Sequence, residues 1–129
     1  MTFKYSFAMA MAAMTLASTA LAGANDYVFE PLAAELKQGD GVTVAVRLIH
    51  KPSGKPVADA VIFRTRIDMA PEGMAEMESS VEAIPAGEPG VYAFKTDLSM
   101  PGLHLFSIAA KVQGEKETVI GKVVFKAVK

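Results

Sequence analysis

The sequence predicts an all-β protein, an immunoglobulin-like β-sandwich of about seven strands that follows a cleaved signal peptide. Short runs of alternating apolar and polar residues recur along the chain, and Gly and Pro clusters separate them about every 8–12 residues. The chain has 129 residues, of which about 105 remain after the leader, enough for one domain with one core. Cys and Trp are absent, so aliphatic and aromatic packing replaces the disulfide and core Trp of antibody domains.

Residues 1–24 are predicted to form a signal peptide, which leaves residues 25–129 as the single mature domain. Lys4 gives a short positive region, Phe7–Leu16 gives the apolar region, and two overlapping small-x-small cleavage sites follow. The apolar region spans about ten residues, whereas a membrane-spanning helix needs about 20. No later stretch is long and apolar enough to span a bilayer. We therefore expect an exported, periplasmic protein that is soluble after cleavage.

The first half of the mature chain predicts three strand regions. Tyr27–Leu36 predicts a weak strand or pair of strands interrupted by Pro31, which cannot donate a ladder hydrogen bond. Gly39–Gly41 predicts a turn, and Val42–His50 alternates well between apolar and polar residues. Ala60–Asp68 predicts the next strand. Strict alternation divides this last strand into two faces, with Val61, Phe63, Thr65 and Ile67 on one and Ile62, Arg64 and Arg66 on the other.

The second half predicts four more strands that end at turn signals. They cover Glu78–Ile84, Val91–Thr96, Leu103–Val112 and Glu117–Val128. In the predicted strand Leu103–Val112, alternation places His104 on one face with Phe106 and Ile108.

Charge and motif content exclude several functions. The chain carries 13 basic and 14 acidic residues, which argues against a nucleic-acid binder because that class shows a basic surface. No Cys nucleophile, HExxH, P-loop, GxGxxG or GxSxG motif occurs. We therefore expect no enzymatic activity.

The methionines are the most informative candidates for a functional site. Outside the leader they fall in two predicted loops, DMAPEGMAEM and DLSMPG, as Met69, Met74, Met77 and Met100. If Met74 to Met77 forms a helical turn, their sulfurs share one face, and Met69 could fold back across them. Thioethers suit Cu(I) or Ag(I) and are poor ligands for Zn²⁺, Ca²⁺ or Mg²⁺. Six carboxylates and no Lys or Arg lie between Asp68 and Phe94, and they would attract cations.

His104 is a fifth candidate ligand. The Pro101-Gly102 turn separates it from Met100, so both could lie at the rim of the sandwich, and imidazole is a good copper ligand. The alternative is that His104 is an ordinary strand residue among apolar neighbours. His50, beside a proline turn, is expected to be solvated.

The other candidates also have structural alternatives. The three methionines of the first loop could cap one end of the sandwich or contact an apolar partner. Arg64 and Arg66 could bind an anion, but we expect them on a solvated sheet face, paired with carboxylates of neighbouring strands.

Three segments resemble a known family: GKPVADAVIFRTRIDMAPEGMAEM, EPGVYAFKTDLSMPG and AAKVQGEKETVIGKVVFKA. They are similar to the YtkA-like or FixH-like periplasmic domain, and the similarity covers roughly residues 39–127. This resemblance implies an immunoglobulin-like sandwich associated with copper handling, heavy-metal efflux and oxidase assembly. It also implies that Met69, Met74, Met77 and Met100 match the recurrent methionines of the family.

The sequence therefore favours a non-enzymatic periplasmic protein that binds Cu(I) or Ag(I) for buffering, transfer or efflux. Its partner would be a heavy-metal efflux or oxidase-assembly protein. The alternative is a metal-independent interaction module in which the methionines form a pliable apolar contact for such a partner.

Overall fold

Ten β-strands form nearly all the regular structure of residues 24–129, the part of the chain that the computed structural model describes. The predicted leader lies outside the described residues, apart from Ala24. In chain order the strands are β1 (Tyr27–Pro31), β2 (Glu35–Lys37), β3 (Gly39–His50), β4 (Lys55–Pro56), β5 (Val61–Met69), β6 (Met74–Ser79), β7 (Val81–Ile84), β8 (Val91–Leu98), β9 (Gly102–Lys111) and β10 (Val119–Val128). A short 3₁₀ turn, Ala70–Glu72, joins β5 to β6.

The strands form two sheets in an immunoglobulin-like sandwich, as the sequence predicts. One sheet has the order β1-β3-β8-β7, with β4 beside β3, and the other has the order β2-β10-β9-β5-β6. The order β1-β3-β8-β7 matches the ABED sheet of an immunoglobulin domain, and β5-β9-β10 matches its CFG sheet, to which β2 and β6 add one strand at each edge. All neighbouring strands are antiparallel except β2 and β10, which are parallel. None of the helical segments among the described residues is long and apolar enough to cross a bilayer.

The core is a layer of aliphatic and aromatic side chains between the sheets. Phe106 on β9 is fully buried and contacts Phe94 of the opposite sheet edge-to-face, with ring centroids 5.0 Å apart. Phe125 on β10 lies 6.3 Å from Phe106 and is also fully buried. Aromatic pairs in this geometry add about 0.5–1.5 kcal/mol to the effect of burial, so these rings replace the missing disulfide as the centre of the sandwich.

The predicted interruption of Tyr27–Leu36 at Pro31 is confirmed, because the segment forms β1 and β2, which belong to different sheets. Two other predicted boundaries are wrong, because the chain changes sheet or pairing. Glu78–Ile84 splits at Ser80 in the same way, and the Ser80 carbonyl accepts a 2.7 Å hydrogen bond from Thr96 Oγ1. Gly39–Gly41 is part of β3, with an irregular register against β8, rather than a turn.

The predicted faces of β5 are also wrong in part, because a β-bulge lies between Ile62 and Arg64. Such a bulge adds one residue to one strand, so the alternation changes phase. Val61 therefore pairs with Lys111 on the outer face, whereas Ile67 is completely buried. Phe63, at the bulge, is 48% exposed rather than a core residue.

Gly121 provides a test of the packing between the sheets. A Cβ atom at this position of β10 would collide with the buried ring of Phe29 on β1. Overpacking a well-filled core typically costs about 1–3 kcal/mol. We expect Gly121→Ala to lower the free energy of unfolding by that amount in urea denaturation.

Gly39→Ala is the matched control. Its Cβ would meet Val42 Cγ2 at 3.7 Å, an ordinary contact, so the free energy should change by less than about 0.5 kcal/mol. Equal effects of the two substitutions would contradict the packing at Phe29.

Candidate functional site

A cavity of about 160 Å³ opens at one end of the sandwich, where the β5–β6 hairpin meets the β8–β9 connection. Its walls come from both predicted methionine segments and from β9. The lining residues are Met69, Glu76, Met77, Glu78, Ser79, Ser99, Met100 and His104. The fold thus brings three thioethers and one imidazole to a single cavity.

Two of the lining side chains are buried and form the floor. Met69 ends β5 and His104 lies near the start of β9, and each is only 3% exposed. Nδ1 of His104 lies 3.2 Å from the carbonyl oxygen of Gly102. When Nδ1–H donates to that oxygen, the proton stays on Nδ1 and Nε2 keeps a lone pair. This arrangement is typical of histidines that bind metals through Nε2.

The other two soft donors lie closer to solvent. Met77 is 44% exposed on β6, the edge strand of its sheet. Met100 is half-buried and lies between β8 and β9, directly before Pro101. Methionine side chains have three rotatable bonds and adapt to irregular spaces. The cavity therefore combines a fixed floor with an adaptable rim.

Glu72 holds the two segments together. Its Oε2 accepts a 2.8 Å hydrogen bond from the backbone N–H of Leu103. Gly102 makes this approach possible, because a Cβ there would lie 2.9 Å from Glu72 Oε2 and 3.4 Å from Met69 Cε. Its φ of +127° is also a conformation that L side chains rarely adopt. The 3₁₀ turn is consequently fixed against the start of β9.

Arg66 braces the hairpin on the outer face of the sheet. Its guanidinium donates to Asp68 at 2.7 Å, to Glu78 at 2.6 Å and to the carbonyl oxygen of Ala75 at 2.8 Å. The predicted pairing of Arg66 with a carboxylate of the neighbouring strand is thus confirmed. Arg64 instead lies 5.8 Å over the ring of Phe63.

Asp68 is the buried member of this network. Burial by itself raises the pKa of its carboxyl group. The hydrogen bonds from Arg66 and from the Ala70 backbone N–H, at 2.7 and 2.8 Å, outweigh burial and leave the pKa below its ordinary value. The carboxylate is therefore ionised at neutral pH and ties the end of β5 to the 3₁₀ turn.

The structure places the predicted site residues as follows. Four of the five line the cavity, and Met74 is the exception. The predicted helical turn is wrong, because Met74 to Met77 lie on β6, and residues three apart on a strand point to opposite faces. His50 lies at a distance from the cavity and contacts Ser53 Oγ at 2.8 Å.

Sequence reasoning did not identify Glu76, Glu78, Ser79 and Ser99 as lining residues. The excess of carboxylates between Asp68 and Phe94 indicated that acidic residues lie near the methionines in the sequence. Only the pairing of β5 with β6 shows that Glu76 and Glu78 lie beside them in the cavity. No group of three or more His, Asp or Glu among residues 24–129 is arranged to hold a metal. The cavity is lined by three thioethers and one imidazole beside two carboxylates and two hydroxyls.

A family model described as YtkA-like matches residues 22–109, and a search of the curated proteins found no match. Among solved structures, the chain is similar to the filamin domain of Lin-41, at 17% identity over 74% of this chain and 91% of that chain, with a TM-score of 0.43. It is also similar to the C-terminal domain of ZirS, at 13% identity over 79% and 66%, with a TM-score of 0.43. A conjugative transposon lipoprotein from Bacteroides eggerthii has 13% identity over 81% and 98%, with a TM-score of 0.33. Likenesses at these TM-scores carry no functional argument.

Asp68 yields a test of the hairpin network through pH. A carboxyl group whose pKa is lower in the folded state stabilises the fold above its unfolded value of 3.8, and this contribution is lost as the pH falls through the folded pKa. At neutral pH we expect Asp68→Asn to lower the free energy of unfolding by about 1–2 kcal/mol. The difference from the unmodified chain should shrink below pH 3.8, as measured by denaturation across pH.

Glu78→Gln is the control, since Glu78 contacts the same guanidinium with a side chain that is 50% exposed. An exposed pair contributes only about 0–1 kcal/mol. A difference for Asp68→Asn that stays constant down to strongly acidic pH would contradict the proposed role of the ionised carboxylate.

Proposed function

We propose that the end cavity of this chain, which belongs to the YtkA-like family as its sequence resemblance predicts, binds a soft monovalent metal ion, Cu(I) or Ag(I). The proposed ligands are Met69, Met77, Met100 and His104. The observation that carries the proposal is that thioethers from two separate segments and a buried imidazole line the same cavity. A role in apolar packing alone would not require an imidazole or two carboxylates at this position.

The donor set explains why a soft ion is favoured. Thioether sulfur and imidazole nitrogen are neutral donors that suit Cu(I), whereas Ca²⁺ and Mg²⁺ require oxygen ligands. Zn²⁺ sites usually have Cys, His or carboxylate ligands in a tetrahedral arrangement. Only one imidazole lines the cavity. Thioethers also have no proton to lose near neutral pH, so metal binding would not require their deprotonation.

The difference between floor and rim suggests how an ion would enter and leave. Met69 and His104 are held in place by burial, and His104 also by the Gly102 carbonyl. Met77 is exposed enough to exchange with a ligand of a partner protein. Glu76 also lines the cavity and would attract a cation, whereas the charge of Glu78 is compensated by Arg66. This arrangement fits buffering or transfer better than permanent storage.

We further propose that the protein acts outside the cytoplasm as a non-enzymatic binding protein. The predicted signal peptide in residues 1–24 supports export, and a thioether site remains able to bind metal in an oxidising compartment where thiolates would form disulfides. The receiving partner would be a heavy-metal efflux or oxidase-assembly protein with its own soft ligands.

A metal-independent interaction module is the second candidate function. The exposure of Met77, a flexible apolar side chain on an edge strand, favours it. In that case a partner complex would survive metal removal and be lost on Met77→Ser. A complex that forms only with bound metal would support the first candidate.

Titration with Cu(I) against a competing chelator tests the metal site. We expect Met69→Leu, Met77→Leu and Met100→Leu each to weaken binding by more than about tenfold, since even loss of an outer-shell partner typically costs about 10–100-fold. Met74→Leu is the matched control, because Met74 is on the same hairpin but does not line the cavity. Equal Cu(I) affinity in a variant with all three lining methionines replaced would refute the proposal.

Ag(I), which is diamagnetic, provides a test that identifies individual ligands by NMR. Addition of Ag(I) should shift the ε-methyl signals of Met69, Met77 and Met100 and leave that of Met74 nearly unchanged. The Nε2 signal of His104 should move while Nδ1 keeps its proton, because Nδ1 faces the Gly102 carbonyl. A response confined to Met74, or a shift of His50 instead of His104, would rule out this ligand set.

A further inference from the structure

The outer face of the five-stranded sheet is both apolar and basic. On β10, Ile120 and Val124 are 61% and 44% exposed, and they alternate with exposed Lys122 and Lys126. The register places Ile120 beside Ala109, and Lys122 beside Ser107. Exposed apolar and basic side chains therefore alternate along β10.

The neighbouring strands extend this pattern. Lys111 on β9 pairs with Val61 of β5, which is 63% exposed. Arg64 pairs with Ala109 and lies over the ring of Phe63, which is 48% exposed. We name this surface the β10 face, defined by Val61, Phe63, Arg64, Lys111, Ile120, Lys122, Val124 and Lys126.

None of the cations of the β10 face forms an ion pair within residues 24–129, where the ion pairs involve only Arg47 and Arg66. Lys122 acts electrostatically on Asp68, which is buried and already bound to Arg66. Glu35 of β2 lies opposite Lys126 in the register. The four cations outnumber this carboxylate, so the face carries an excess of positive charge on a chain whose formal net charge is −1.

The arrangement of charge decides which kind of occupant fits. A second copy that packed the same face symmetrically onto this one would bring like charges together, because its β10 face carries the same cations. Protein interfaces are depleted of lysine, most strongly at their centre, whereas Lys122 lies in the middle of this face. Lysine stems can cover apolar surface while their ammonium groups reach lipid phosphates.

We propose that the β10 face binds the surface of an anionic phospholipid bilayer. Lys111, Lys122 and Lys126 contact headgroup phosphates, and the exposed apolar side chains between them enter the interfacial region. The proposal does not depend on metal binding. Because β6 is the edge strand of the same sheet, the docked sheet would place the Met77 edge beside the membrane surface.

Cosedimentation of metal-free protein with vesicles tests this proposal. The probe is residues 25–129, which contain the entire described sandwich, since the apolar leader would itself bind lipid. We expect binding to vesicles of equal parts phosphatidylcholine and phosphatidylglycerol, weak binding to phosphatidylcholine alone, and loss of binding at high salt. Lys122→Glu should weaken binding at least about fivefold, because one lysine near an anionic surface contributes about that factor.

Two matched controls distinguish binding through this face from a general effect of charge or hydrophobicity on lipid binding. Lys95→Glu makes the same charge change on the other sheet, where Lys95 is exposed on β8, and should weaken binding much less than Lys122→Glu. Val124→Ser should weaken binding, whereas Leu32→Ser should not, although the two side chains are similarly exposed at 44% and 45%. Retained near-UV circular dichroism would show that the variants are folded.

Three outcomes would overturn the proposal. They are equal binding to both vesicle types, equal effects of Lys95→Glu and Lys122→Glu, and binding to soluble polyglutamate as tight as to anionic vesicles with no effect of Val124→Ser. The last result would instead assign the face to an acidic protein partner.

Discussion

The close contact between Glu72 and the start of β9 is the constraint on which the candidate site depends. Glu72 accepts the Leu103 N–H directly beside Gly102, where a Cβ would lie 2.9 Å from Glu72 Oε2 and where φ is positive. The absence of a side chain also lets the Met69 methyl group approach this turn. Strand pairing brings β5, β6 and β9 together, and with them Met69, Met77 and His104. The Glu72 contact then fixes the 3₁₀ turn of the hairpin against the start of β9, beside the segment that carries Met100.

The network behind the cavity shows why its shape can be maintained beside an exposed edge strand. Arg66 reaches Asp68, Glu78 and the Ala75 carbonyl, so it links the end of β5 to β6. An exposed ion pair contributes little on its own, but Asp68 is buried and would be costly to leave unpaired. The outer face of the hairpin is therefore fixed by charge, while its inner face is lined by flexible thioethers.

Charge is divided between two parts of the same sheet. The β6 edge carries the carboxylates that line the cavity, and the β10 face carries lysines that form no ion pair within residues 24–129. A cation would be drawn toward the edge, and an anionic surface would be drawn toward the face. The cavity lies at one end of the sandwich, whereas the lysines lie on the outer face of the sheet, so one sheet presents both. The formal net charge of −1 conceals this asymmetry.

The sequence by itself determined the strand-rich fold class, most turns, the family and the residues with soft donors, because alternation and Gly or Pro signals are local. It did not determine the sheet to which each segment belongs, the phase change at the Phe63 bulge, or the strand conformation of Met74 to Met77. Nor did it show that His104 shares a cavity with Met77 while Met74 does not. These features depend on pairing between β5 and β9, in which Asp68 lies opposite Leu105. Such long-range register is set by the packing of the complete core, and only the tertiary structure shows which side chains it brings together.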